Sequence, residues 1–247
     1  MDAPINLSIS GLSAKMAKSE FYGGFDLIVD GVTQSNVVPE DPSILNLDYV
    51  RRLGDMIDHY FPSSEDLSVL HLGAGAMSLV RYIGAKYPDA LQVVVELEKE
   101  IVDLVEEVAP LKTPAEIIYG DAKSIVRALP PNSFDLIIAD IYMGISTPDS
   151  LTTVEFYSEL SELLNPYGIL LANITGGDGL EDIARQYRNI EEVFTHCVLA
   201  IDSNSLNYKT ETNALVAASD GYAWLEDLKF PTKSKLSTTI ITESWLL

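Results

Sequence analysis

The sequence has 247 residues, a formal net charge of −21 and 47% hydrophobic residues, enough apolar material for one large core and a small appendage. A surface this acidic repels phosphate backbones, so we expect no nucleic-acid partner. It would attract a cationic substrate, although acidity that serves solubility alone explains the charge equally well. No apolar run approaches the ~20 residues that a membrane span needs, and no secretion signal is recognisable. The single cysteine, Cys197, excludes an internal disulfide. We therefore expect a cytoplasmic protein without a membrane partner.

Residues 1–43 are predicted to form a small β-hairpin region that precedes the main domain, residues 44–247. Phe25–Val29 is a short apolar run, and Asp30-Gly31 is a strong turn signal. The chain is predicted to return as a second strand from Val32 to Val38.

A helix is predicted to begin at Asp41-Pro42-Ser43, because an apolar stripe at helical spacing follows. From Leu67 onward, short apolar runs typical of strands buried on both faces alternate with helical patterns. This order predicts an α/β fold, Rossmann-like, with a seven-stranded, mostly parallel sheet and helices on both faces. The strand candidates are Leu67–Leu72, Leu91–Glu96, Glu116–Tyr119, Phe134–Ala139, Gly168–Asn173, Val193–Ile201 and Thr212–Ala218. Ligands of such sheets bind beyond the carboxyl ends of the strands, so the residues there are candidates for a site.

The turn Gly73-Ala74-Gly75 separates the first of these strands from a helix that is predicted to begin near Met77. Gly73 permits a sharp turn, and Gly75 lets a ligand approach the backbone closely. A plain tight turn has the same pattern, but Glu96 closes the next strand 23 residues after Gly73, near the spacing at which an acid meets a ribose diol. We interpret the turn and Glu96 as a nucleoside site; the alternative for Glu96 is a solvated acid at a strand end.

Two further acids follow strands. Asp121 is placed to accept a hydrogen bond from an adenine amino group or to cap the helix predicted from Ala122 to Leu129, and the cap is the stronger expectation. Asp140 closes a strongly apolar strand and precedes a loop that contains Gly144 and Pro148. Partial burial would raise its pKa and suit it to act as a base. The alternative is a carboxylate that only hydrogen-bonds loop amides.

Together these segments resemble the spermidine synthase, or polyamine aminopropyltransferase, family, which has a class I methyltransferase-like fold. Leu27–Gln34 is similar to the family's VLDGVIQ hairpin. Gly73–Arg81 aligns without gaps to its GGGDGG-x-x-R loop, and Asp140–Leu170 aligns to the stretch that begins DSSDP. The resemblance implies an antiparallel last strand, a homodimer, and S-adenosylmethionine or its decarboxylated form as the co-substrate, with an amine as the acceptor.

The resemblance also implies roles for individual residues. The residues that it assigns to the nucleoside are Gly73, Ala74, Gly75, Glu96, Asp121 and Ala122. Glu96 would bind the ribose hydroxyls, and Asp121 with Ala122 would border the adenine. Asp140 matches the carboxylate that takes a proton from the attacking amine. Tyr49 matches, across an insertion, the tyrosine that faces the amine, and Tyr142 is assigned to the same substrate.

Three positions depart from the family. Its loop aspartate, which meets the aminopropyl ammonium, is Ala76. The last aspartate of DSSD, which holds the distal amine of putrescine, is Met143, and the glutamine after the substrate tyrosine is Val50. Each charge-assisted hydrogen bond lost in this way costs roughly 1.5–3 kcal/mol. The resemblance therefore implies a site whose nucleoside-binding half is intact and whose amine-binding half is altered.

Three functions follow as hypotheses. The first is aminopropyl transfer with an altered amine site, and the second is methyl transfer from S-adenosylmethionine. In the second, Arg81 would bind the methionine carboxylate, unless it forms a surface ion pair. The third is nucleoside binding without catalysis, since fold alone does not separate these cases. No metal is expected, because no cluster has metal-ligand spacing and His71 is interpreted as a packed core residue.

Overall fold

The computed structural model describes residues 4–62, 66–142, 147–175, 180–208, 213–221, 225–228 and 238–242. These residues form two β-sheets with helices packed around the larger one. None of the described helices is long and apolar enough to cross a membrane.

The N-terminal sheet contains the predicted hairpin and two strands that were not predicted. Its described strands, in the order β1-β2-β3-β4, are β1 Ile5–Asn6, β2 Ser13–Lys18, β3 Phe25–Val29 and β4 Val32–Val37. At the turn between β3 and β4, Asp30 and Gly31 have φ of 47° and 81°, as a two-residue hairpin of type I′ requires. β2 buries Ala14 and Met16 on one face, the two-residue period of a half-buried strand.

The larger sheet has eight strands among the described residues, in the order β12-β10-β11-β9-β8-β5-β6-β7. Its strands are β5 Ser68–Leu72, β6 Leu91–Glu96, β7 Glu116–Tyr119, β8 Phe134–Ala139, β9 Leu164–Thr175, β10 His196–Asp202, β11 Asn213–Ser219 and β12 Thr238–Ile241. Strands β5 to β9 pair in parallel, whereas β11 runs antiparallel to both β9 and β10. The mostly parallel sheet and its antiparallel strand β11 are confirmed. The strand beyond the seven predicted is β12, which pairs with β10 at the edge.

Helices cover both faces of this sheet, as predicted. The α-helices are α1 Asp48–Tyr60, α2 Ser78–Lys86, α3 Lys99–Val108, α4 Ala122–Val126, α5 Val154–Leu163, α6 Leu180–Glu191 and α7 Ser203–Tyr208, with single 3₁₀ turns at Asp149–Leu151 and Leu225–Asp227. One buried cluster joins α5 and α6 to the sheet, and a second joins α1 and α2 to it. A third lies between the N-terminal sheet, α2 and α3.

The prediction that a helix begins at Asp41 is wrong, since α1 begins at Asp48. The Asp41 carboxylate accepts hydrogen bonds from the Ser43 backbone N–H at 3.0 Å and from its hydroxyl at 2.6 Å. Such a local bond offers the backbone a turn in place of a helix. The helix predicted from Ala122 to Leu129 also ends earlier, at Val126.

The carboxyl ends of the central strands meet at one edge, where backbone hydrogen bonds link the first residues of three loops to neighbouring strands. Gly73 N–H donates to Val95 O at 2.9 Å, and Asp140 N–H donates to Leu72 O at 3.0 Å. Gly120 N–H likewise donates to Glu96 O at 2.9 Å. The loops after β5, β7 and β8 are therefore held side by side.

Candidate active site

At the glycine turn after β5, the backbone of Gly73 passes very close to the backbone of Asp140. Gly73 has φ +92°, and a Cβ added to it would lie 2.3 Å from the carbonyl oxygen of Asp140. Gly75 has φ +48°, and the nearest atom to its added Cβ is Ser35 Oγ at 3.3 Å. Only glycine fits at Gly73, so this turn brings the loops after β5 and β8 into contact.

Glu96 at the end of β6 is buried, with 7% of its surface exposed. One carboxylate oxygen accepts from Ala74 N–H at 2.8 Å, and the other accepts from Glu98 N–H at 2.9 Å. Burial raises the pKa of Glu96 although these backbone hydrogen bonds lower it. The alternative of a solvated acid is therefore wrong. Each oxygen retains a lone pair, so ribose binding by Glu96 stays a prediction that the geometry permits.

Asp121 after β7 caps helix α4, as expected. Its exposed carboxylate accepts from Ser124 N–H at 2.9 Å and from the Ser124 hydroxyl at 2.8 Å. Gly120 N–H donates to Glu96 O at 2.9 Å, which places this loop beside the end of β6. Contact between Asp121, Ala122 and an adenine stays a prediction.

Asp140 is the centre of a polar cluster at the end of β8. Its Oδ1 accepts a hydrogen bond from Asn173 Nδ2 at 2.8 Å. Burial raises the pKa of Asp140 to about 6, although the Asn173 amide and the Tyr49 hydroxyl beside it lower the pKa. The Tyr49 hydroxyl donates to Gln34 O and the Tyr142 hydroxyl to Asn173 O, each at 3.2 Å. Burial and the neighbouring Asp140 raise the pKa of both phenols. A carboxyl group whose pKa is near 6 is suited to accept a proton at neutral pH.

These residues line one pocket of about 230 Å³ between the N-terminal sheet and the large sheet. The predicted site residues that it brings together are Tyr49, Gly73, Gly75, Glu96, Asp121, Ala122, Asp140 and Tyr142. Ala74 contributes its backbone N–H to Glu96 from behind the glycine turn. Among the described lining residues, four carry carboxyl groups and none is lysine, arginine or histidine.

Glu98 and the N-terminal wall of the pocket were not predicted from the sequence. Glu98 is 4% exposed, and its carboxylate accepts from Ile9 N–H at 3.1 Å and Ser10 N–H at 2.5 Å. Leu7, Ser10 and Leu12 line the pocket on this side. This contact could not be predicted because it joins positions 88 residues apart. The sequence feature that pointed to Glu98 is a second acid two residues after Glu96.

The positions that depart from the family lie mostly in the core. Ala76 is 0% exposed within the cluster under the N-terminal sheet, and Val50 is 4% exposed. Met143 lies outside the described residues. Arg81 forms no surface ion pair with any described residue: it is buried, and its guanidinium donates to the carbonyl oxygens of Ala109 and Pro110. The role suggested for Arg81 in binding a carboxylate is not supported, because those carbonyls engage it.

His71 is a core residue, as expected. It is 3% exposed, and its Nε2 lies 2.9 Å from Gln92 Oε1. Burial lowers its pKa to about 4, so the ring is neutral at pH 7. Within the described ranges, no group of three or more His, Cys, Asp and Glu side chains is arranged to hold a metal ion.

No protein-family model matches the chain. A polyamine aminopropyltransferase from Chromobacterium violaceum is 28% identical over 148 residues, which are 59% of this chain and 55% of that protein. An N-terminal histidine N-methyltransferase from Emericella nidulans is 34% identical over 86 residues, covering 33% of this chain and 15% of that protein. The chain thus spans about half the length of the curated aminopropyltransferase that it matches.

Among solved structures, the fold matches that of a probable spermidine synthase from Corynebacterium glutamicum with a TM-score of 0.85 and 24% identity, over 100% of this chain and 92% of that one. The strand order and the flanking helices define a Rossmann-like protein of the class I methyltransferase type. The chain has this fold and is similar in sequence, at a divergent level, to polyamine aminopropyltransferases.

Proposed function

We propose that this protein is an aminopropyltransferase that binds decarboxylated S-adenosylmethionine in the pocket and transfers its aminopropyl group to an amine. The observation that carries the proposal is the charge of the pocket, whose described lining includes four carboxyl groups and no cationic side chain. The decarboxylated donor has two positive charges, on the sulfonium and on the ammonium group. S-Adenosylmethionine has in addition a carboxylate that these residues would repel.

In the proposed reaction the amine nitrogen attacks the methylene carbon next to the sulfonium. A carbon–nitrogen bond forms, the carbon–sulfur bond breaks, and methylthioadenosine leaves with the bonding electron pair. The amine transfers a proton to Asp140, which Asn173 holds by the 2.8 Å hydrogen bond. Binding both reactants in one pocket supplies much of the acceleration.

The nucleoside half of the proposal depends on Glu96, held by two backbone N–H groups at the end of β6. Its remaining lone pairs would accept hydrogen bonds from the ribose hydroxyls. Asp121 and Ala122 line the same pocket and would border the adenine, while Tyr49 and Tyr142 would face the amine.

Methyl transfer from S-adenosylmethionine is the second candidate, and one observation favours it. Ala76 stands where the related family has an aspartate, so no carboxylate at that position repels the methionine carboxylate. Against this, Arg81 is engaged by carbonyl oxygens. Nucleoside binding without turnover is the third candidate.

Calorimetry distinguishes the first two candidates by comparing decarboxylated S-adenosylmethionine, S-adenosylmethionine and methylthioadenosine, and an assay for nucleoside products separates both from the third. We expect the tightest binding for the decarboxylated form. Preference for the carboxylated form would support methyl transfer instead, and binding of none would overturn the nucleoside site. Glu96→Ala should weaken all three about equally, by roughly tenfold or more, whereas the exposed Glu116→Ala serves as the control.

The homodimer and the cytoplasmic location implied by the resemblance are part of the same proposal. Light scattering on the purified chain checks the dimer, and fractionation of the native cells checks the location.

A further inference from the structure

A second, much smaller cavity lies next to the pocket. It has a volume of about 10 Å³ and shares Ile141 and Leu151 with the pocket wall. Phe156 and Tyr157 of α5 form part of its lining and are almost fully buried. A cavity this size holds one molecule of water, which needs roughly 10–15 Å³.

Three buried polar atoms belong to the residues that line this cavity. They are Asn173 Oδ1, Gln186 Oε1 and Thr147 Oγ1, and none has a hydrogen-bond partner within the described part of the chain. Asn173 and Gln186 are each 3% exposed. A buried polar atom left unpaired costs about 1–3 kcal/mol, so three of them around one cavity indicate a ligand.

The other ends of the two amides show which atoms face the ligand. Asn173 Nδ2 donates to Asp140 Oδ1 at 2.8 Å, and Gln186 Nε2 donates to Thr175 O at 2.8 Å. Both amide nitrogens are therefore engaged elsewhere, and both amide oxygens are acceptors. The ligand must donate two hydrogen bonds, and it can accept one from the Thr147 hydroxyl.

We propose that the cavity binds one water molecule, and that this water positions Asp140 through Asn173. Water donates two hydrogen bonds and accepts a third, which is the usual number for a buried water. No carboxylate is among the described residues that line the cavity, so a metal cation would lack the charged oxygens that it prefers.

The consequence for Asp140 rests on the proposed function, in which Asp140 is the base. An asparagine amide can rotate by 180° and exchange its oxygen and nitrogen at little steric cost. In the rotated state Asn173 would present an oxygen to the Asp140 carboxylate and repel it. A water that donates to Asn173 Oδ1 fixes the amide with its N–H group towards Asp140.

A high-resolution crystal structure of the full chain tests the water site without reference to activity. We expect one peak of water density within hydrogen-bond distance of Asn173, Gln186 and Thr147. An empty cavity, a rotated side chain that fills it, or a peak with metal coordination would overturn the water site.

The matched variants Thr147→Val and Thr147→Ser test the effect on Asp140. Valine has the shape of threonine without the hydroxyl, and serine retains the hydroxyl. Titration of carboxyl-¹³C-labelled aspartate by NMR, with the Asp140 signal assigned by its loss in Asp140→Asn, measures the pKa of Asp140 directly. We expect an upward shift in Thr147→Val and little change in Thr147→Ser.

The two hypotheses fail in different ways. An unchanged Asp140 pKa in a folded Thr147→Val variant would contradict the positioning role, whatever the activity. If the pKa shifts but the wild-type protein releases no methylthioadenosine, the proposed function fails and the water site stands. If there is turnover, the rising limb of its pH profile should move upward with the pKa in Thr147→Val.

Discussion

The carboxylate of Glu98 accepts the backbone N–H of Ser10 at 2.5 Å, across 88 residues of chain. It also accepts the N–H of Ile9 at 3.1 Å. The hydrogen bonds join the end of β6 to the loop between β1 and β2, whose Leu7, Ser10 and Leu12 line the pocket. Glu98 therefore holds one wall of the site without being assigned any contact with a substrate.

Replacing Glu98 by alanine should weaken nucleoside binding, because it frees two backbone N–H groups and loosens this wall. A hydrogen bond to a charged group contributes about 1.5–3 kcal/mol, and 1.4 kcal/mol corresponds to a tenfold change in affinity. Calorimetry with methylthioadenosine should show about a tenfold loss in Glu98→Ala and little change in the control Glu100→Ala. Equal affinities in both variants would show that the wall does not depend on Glu98.

The contact of Glu98 with Ile9 and Ser10 should stabilise the attachment of the N-terminal sheet less at low pH than at pH 7. Burial raises the pKa of Glu98, but the hydrogen bonds from Ser10, Ile9 and Ser8 outweigh it, and the pKa is lowered overall. A group with a lowered pKa in the folded state stabilises the fold above its ordinary pKa, and the contribution is lost as the pH falls through the folded value. We expect the free energies of unfolding of the wild type and Glu98→Gln, measured with urea between pH 7 and 3, to converge at the acid end. A difference in free energy that does not depend on pH would contradict this linkage.

Gly73→Ala should destabilise the fold and displace Asp140. A left-handed backbone costs a residue with a Cβ roughly 1–2 kcal/mol, and here the Cβ would also lie 2.3 Å from the Asp140 carbonyl oxygen. Gly75→Ala is the matched control, because its φ is also positive but its nearest atom is a serine hydroxyl at 3.3 Å. Urea denaturation should show a clearly larger loss in the free energy of unfolding for Gly73→Ala than for Gly75→Ala. Equal losses would mean that the loops after β5 and β8 are not in close contact.

Turnover should rise with pH through about 6. Burial raises the pKa of Asp140 to about 6, and a base acts only in its ionised form, so activity should be lost as the pH falls below this value. Asp140→Asn should lower kcat by at least about a hundredfold while leaving the affinity for methylthioadenosine, which is uncharged, almost unchanged; Asp149→Asn, at an exposed neighbouring acid, is the control. Residual turnover that keeps the same pH profile in Asp140→Asn would show that another group is the base.

The parallel strands of the large sheet could be predicted from the sequence because each contains a short run of apolar residues. Leu91–Glu96, Glu116–Tyr119 and Phe134–Ala139 have the predicted bounds, since the strands of a parallel sheet covered by helices keep such a run. β2, with the sequence SAKMAK, was not predicted because Lys15 interrupts its two buried residues, Ala14 and Met16, so that no apolar run forms. β12 was missed because it is short and lies at the edge, where pairing with β10 defines it.

The candidate site residues that the sequence predicted lie at or just beyond the end of a strand, as Glu96, Asp121 and Asp140 do. The contacts that hold these residues could not be predicted, because they come from distant parts of the chain. Asn173 reaches Asp140 from the neighbouring strand β9. The start of α1 was wrong because the side chain of Asp41 forms its own turn, a local contact that competes with the helical pattern.

Transfer of an aminopropyl group in a pocket that excludes a carboxylated donor can be tested through the nucleoside products. The most direct measurement incubates the protein with an amine mixture and either decarboxylated S-adenosylmethionine or S-adenosylmethionine, and then quantifies the nucleoside products by chromatography. We expect methylthioadenosine from the decarboxylated donor, dependent on both the amine and Asp140, and no S-adenosylhomocysteine from the carboxylated donor. Formation of S-adenosylhomocysteine, without methylthioadenosine from the decarboxylated donor, would contradict this expectation.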